Sequence, residues 1–91
     1  MNPKLRRQIH RSIRLLESVG YRCSPVQFGA FNILAVSPVD LLLVQVRNPD
    51  DRWPPFPREV AEMQQYTVPG NVKKIVHRWS KRKLLPDVLV I

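Results

Sequence analysis

Leu5, Ile9, Ile13 and Leu16 recur at steps of four, four and three, and most positions between them are charged or polar. That period lays one apolar stripe along a helix. Asn2 followed by Pro3 reads as an N-cap with proline at the first helical position, where a missing N–H costs nothing. Gly20 supplies a left-handed stop. Arg6, Arg7, His10, Arg11 and Arg14 fall away from the stripe, so the outer face of this helix is cationic. Beyond Gly20 the period shortens. RCSPVQF contains strand formers but is interrupted by Pro25, which predicts an edge strand or an irregular entry. Phe31 to Val36 predicts a cleaner strand, Ser37-Pro38-Val39-Asp40 has turn chemistry, and Leu41 to Val46 is a near-continuous apolar run expected at the centre of a sheet covered on both faces.

The second half is punctuated by proline. NPDDRWPPFP, residues 48–57, holds four prolines in ten positions and predicts a loop with local polyproline character. Arg58 to about Thr67 has helix formers, with Val60 and Met63 at helical spacing, and Pro69-Gly70 ends it. Val72 to Ser80 alternates as a strand, Lys81 to Lys83 forms a basic turn, and Asp87 to Ile91 forms a last short strand. The expected order is α-β-β-β-α-β-β. This is an α/β (α+β) chain with one mixed sheet flanked by two helices, the simplest way to bury these faces.

Ninety-one residues make room for one small domain, here 1–91. An apolar fraction of 44% fits a globular core, and no apolar run approaches the roughly 18 residues of a spanning helix. The basic N-terminus lacks the pattern of a secretory signal, so a soluble cytoplasmic protein is expected. Cys23 is the single cysteine and cannot form an internal disulfide, and neither it nor His10 or His77 has neighbours at metal-ligand spacing.

Charge changes the picture more. Fifteen Lys and Arg against seven Asp and Glu give +8, and the excess lies at the two ends of the chain. Arg6, Arg7, Arg11 and Arg14 stand on the first helix; Lys73, Lys74, Arg78, Lys81, Arg82 and Lys83 stand in or after the fourth strand. Such asymmetry points to a polyanionic partner, nucleic acid foremost. Trp79 among these charges and Trp53 in the proline loop are candidates to stack on a splayed base, while for Trp79, on a strand, a core role is the favoured expectation.

FNILAVSPVDLLLVQVR, residues 31–47, carries the most specific signal. Asn32 follows Gly20-Tyr21 by twelve residues from the glycine, and Gln45 follows Asn32 by thirteen. In element order and in these spacings the chain resembles the archaeal-type Holliday-junction resolvases of the PD-(D/E)XK nuclease superfamily, with their restriction-endonuclease-like core. The resemblance implies an Asp at the position of Asn32 and a Glu at that of Gln45, binding a divalent metal, and a Lys at that of Arg47, orienting the attacking water. It also implies a homodimer. Here the motif is degenerate. Amide carbonyls supply oxygen without the charge that holds Mg²⁺, Arg47 stays protonated and cannot act as a base, and the family's acid early in the first helix has no counterpart.

Three functions follow as expectations. The first is a nucleic-acid-binding domain, with DNA the expected partner, on a nuclease-like frame without cofactor or cleavage at the usual site. The second is a working Mg²⁺-dependent endonuclease whose ligands have moved to Asp50 or Asp51 with Glu59 or Glu62. The third is a small protein-interaction module whose basic charge is incidental.

Overall fold

The computed structural model describes residues 2–91, and in them the expected order of elements is present. Helix α1 spans Pro3–Ser18. The Asn2 side chain accepts from the Lys4 amide at 2.8 Å, while at the other end Gly20, at φ 103°, lets its own amide reach Glu17 and the Tyr21 amide reach Leu16. These two bonds satisfy carbonyls that the helix end would otherwise leave without a partner. Ile9 and Leu16 on the expected stripe are buried, and so are Gln8 and Ser12.

Strands β1 (Arg22–Phe28), β2 (Phe31–Val36), β3 (Leu41–Arg47), β4 (Val72–Arg78) and β5 (Asp87–Val90) form one sheet in the order β1-β2-β3-β4-β5. All neighbours are antiparallel except β3 and β4, which are parallel. The apolar run at Leu41 therefore lies at the centre, as its composition predicts. Pro25 sits on the edge strand β1, just before a register shift, where a missing N–H does least harm.

Alternation along the central strands sends side chains to two cores. Ile33, Ala35, Leu42, Val44, Val46, Ile75 and Trp79 pack with α1, while Leu43, Met63 and Val76 pack on the side of the second helix, joined by Phe31, which lies before regular β2–β3 pairing begins and falls out of alternation with Ile33. That helix, α2, spans Pro57–Gln64 and buries only Met63. It is shorter than the expected span to Thr67, because the chain turns down after Gln64 and packs Tyr66 and Val68 against the sheet. An apolar groove remains beside it, lined by Phe28, Leu34, Leu43, Tyr66 and Val72 among others. β4 also stops short of Ser80: the Trp79 amide makes a last bond to Arg47 at 3.3 Å, and the chain then leaves the sheet.

Gly29, between β1 and β2, has φ 55°, and a Cβ there would lie 2.8 Å from the Tyr66 ring carbon Cζ. The Tyr66 ring is in turn held against Phe28 and Phe31 at 5.3 and 5.8 Å between centroids. Both the backbone angle and the ring contact require glycine.

Candidate nucleic-acid interface

The parallel pair β3 and β4 ends at Arg47 and Arg78, and the loops that follow both strands gather at that edge of the sheet. The three positions singled out in residues 31–47 lie there together. Regular pairing of β2 with β3 begins only at Ile33 and Val44; beyond them side chains replace the ladder. Asn32 Oδ1 accepts from the Val46 amide at 2.7 Å, and Gln45 Nε2 donates to the Ala30 carbonyl at 3.2 Å. Arg47 Nη1 donates to Gln45 Oε1 at 3.3 Å and to Glu59 Oε2 at 2.9 Å. Both amides thus tie the splayed strand ends, and the charge of Arg47 is matched by Glu59.

Two of the remaining acids of this edge, Asp50 and Asp51, are engaged separately. Asp50 pairs with Lys4, whose hydrogen bond and charge hold its carboxyl below the usual range. Asp51 Oδ2 accepts from the Asn48 amide at 2.7 Å. Glu62 lines a shallow hollow with Arg58 and Glu59. Among the described residues no group of three His, Cys, Asp or Glu stands close enough to hold a metal ion. At the opposite end of the sheet Asp40 accepts from Ser37 Oγ at 2.6 Å and Tyr21 Oη at 3.0 Å, bonds that keep its carboxyl low.

The cations of the two chain ends divide by what they touch. Arg6, Arg7, Arg14, Lys81, Arg82 and Lys83 are exposed. Arg11 joins the two groups. Its guanidinium lies 4.2 Å over the Trp79 ring and donates to the carbonyls of Ser80 at 3.4 Å and Lys83 at 2.8 Å, fastening the 80–83 turn to α1. Arg11, Arg14, Lys83 and Leu84 share one hollow. The Lys4–Asp50 pair joins the N-terminal end of α1 to the loop after β3, and Arg11 joins the same helix to the turn.

The other three basic candidates are placed differently. Lys74 turns inward, with Nζ donating to the carbonyls of Met63 and Tyr66 at 3.0 and 2.9 Å; a cation at the end of α2 satisfies carbonyls the helix cannot. Arg78 grips Asp87 through Nε and Nη2 at 3.1 and 2.8 Å and lies over Trp53. Lys73 stands near Asp40 at 3.8 Å, at the start of β4, roughly 17 Å of strand from Arg78. These three do not join the exposed cluster.

The chain matches no protein-family model, no curated protein and no solved structure. No helix among the described residues is long and apolar enough to cross a membrane.

Beneath the cationic face lies a polar group that periodicity alone does not reveal. Trp79 is 3% exposed, which removes it as a stacking platform, and its Nε1 donates to Ser12 Oγ at 2.6 Å. Ser12 Oγ lies 3.0 Å from His77 Nδ1. With Trp79 donating, the hydroxyl hydrogen is free to donate to a neutral imidazole. Burial pushes His77 down to about 4. A serine beside a histidine has the elements of a nucleophile, but Ser12 is wholly buried, so the pair locks α1 to β4 instead. The readable signal is Ser12 itself, three residues after Ile9 and four before Leu16, on the apolar stripe.

Proposed function

We propose that this protein binds nucleic acid, with DNA the expected partner, through the surface made by α1 and the 80–83 turn. In this reading the frame is nuclease-like and Asn32, Gln45 and Arg47 serve it as structural ties. The observation that carries the proposal is the joining of two basic segments from opposite ends of the sequence: Arg11 fastens the 80–83 turn to α1, Arg14 and Lys83 line one hollow, and Arg6, Arg7, Lys81 and Arg82 are exposed on the same two segments. A solvated basic surface needs no such bridge. Phosphate contacts of this kind position a duplex or junction without reading its bases.

Two features support a binding role without cleavage at the usual positions. The amides of Asn32 and Gln45 are engaged with the backbone of β3 and of the β1–β2 turn, and Arg47 is engaged with Glu59. The test is fluorescence anisotropy with labelled duplex and four-way-junction DNA across a salt series. Six neutralised phosphates give a log-log slope of about −5 on duplex, and the triple variant R6Q/R7Q/R14Q lowers it to about −3. Absence of salt-sensitive affinity for any DNA or RNA would defeat the proposal and favour a protein-interaction module. Incubation of the same DNA with Mg²⁺ or Mn²⁺ is expected to leave it intact; cleavage that vanishes in Asp50→Ala or Glu59→Ala would restore the relocated nuclease.

A further inference from the structure

The turn that carries Lys81, Arg82 and Lys83 continues directly into two leucines that the fold leaves in water. Leu84 is 93% exposed and Leu85 62%. Isolated exposed leucines are ordinary on a protein surface, but these differ in how they are held. On one side Arg11 bonds the Ser80 and Lys83 carbonyls, and the Lys83 amide closes a turn onto the Ser80 carbonyl at 3.4 Å. On the other side Pro86 restricts the backbone, and Asp87 is gripped by Arg78 and by Lys83 Nζ at 3.1 Å. The leucines therefore stand on a braced turn, with Leu84 at the rim of the hollow that Arg11 and Arg14 also line.

An apolar tip framed by cations matches a duplex held by its phosphates. Proteins that kink nucleic acid insert apolar side chains between base steps while basic residues grip the flanking backbone. From this juxtaposition we infer that Leu84 and Leu85 form a wedge that enters the base stack of DNA bound by Arg14, Lys81 and Arg82. The inference rests on the nucleic-acid-binding reading above. An anionic membrane is the other surface that takes cations beside leucines. It fits less well, because the apolar stripe of α1 is packed in the core and the exposed side of that helix carries Arg6, Arg7, His10, Arg14 and Glu17, so α1 has no apolar face to lay in the interface.

The experiment compares the full chain with L84S/L85S and L84F/L85F, using duplex and four-way-junction DNA that carries 2-aminopurine at successive steps. Both leucines are exposed, so the unfolding midpoint of each variant is expected to match the parent. The parent raises 2-aminopurine fluorescence by unstacking. L84S/L85S loses that rise and about ten-fold in junction affinity with the salt slope unchanged, and L84F/L85F keeps both. Equal affinity and equal unstacking in L84S/L85S would overturn the wedge while leaving DNA binding intact. Salt-insensitive behaviour of the parent would remove both readings together. Binding to phosphatidylserine vesicles that depends on the leucines, with DNA binding indifferent to them, would also overturn the wedge and assign the tip to a membrane surface.

Discussion

Gln45 shows how one atom separates a structural amide from a metal ligand. Its Nε2 donates to the Ala30 carbonyl while its Oε1 accepts from Arg47. Gln45→Glu keeps the second bond and loses the first, setting two acceptors face to face. The expected cost is about 1–2 kcal/mol of unfolding free energy. Asn32→Asp costs less, because a carboxylate still accepts from the Val46 amide; urea denaturation of both variants checks the order. His77 gives a pH-dependent prediction. Its folded value is about 4 against the ordinary 6.5, so between these values the unfolded chain binds more proton. Stability is full above about pH 6.5, falls as pH drops, and levels off below about 4, a loss of roughly 3 kcal/mol. Asp40, Asp50 and Asp87 have carboxyls lowered from 3.8, and their contributions are lost further down, as pH falls through their folded values. His77→Asn, which retains an acceptor for Ser12, is expected to flatten the 4–6.5 window in thermal melts. At this scale the sequence marked Asn32, Gln45 and Arg47 as unusual, but their partners Val46, Ala30 and Glu59 depend on how the strand ends splay, which no spacing encodes.

Elements were legible where their signals are local. Asn2, Pro3 and Gly20 bound α1 through bonds within a few residues, and Phe31–Val36 has the predicted bounds. α2 was legible in existence but not in length, since its end is closed from outside by Lys74 on β4. Lys74→Met removes a charged donor from two carbonyls and is expected to cost about 2 kcal/mol, measured by urea denaturation, with DNA affinity unchanged within about two-fold. A Lys74 that contacted phosphate would show the reverse. The same contrast applies to Trp79: the alternation of β4 allowed a core or a surface role, and Ser12 on α1 settles it through a bond across 67 residues of chain.

For the whole molecule, the radius of gyration of 12.4 Å is close to the roughly 12 Å of one compact body of this length. Two cores share a single sheet. α1 carries the larger one and also presents the cationic face, so burial and charge are divided between opposite sides of one helix. The net charge of +8 could be read as a force toward a polyanion without any structure, because charge is a sum over residues. Where that force acts could not. The sequence by itself determined the elements, the central position of Leu41–Val46 and the basic character of the two ends, since periodicity, caps and turn residues act over a few positions. Only the tertiary structure decided which cations remain outward. Lys74 answers to Met63 and Tyr66, Arg78 to Asp87, and Arg11 to Ser80 and Lys83. All but the Arg11 contacts lie within 11 residues of sequence, yet each still requires the sheet to be assembled before donor and acceptor meet. Arg6, Arg7, Arg14, Lys81, Arg82 and Lys83 are left exposed by that assembly, and the joining of their two segments through Arg11 is a product of packing α1 on the sheet.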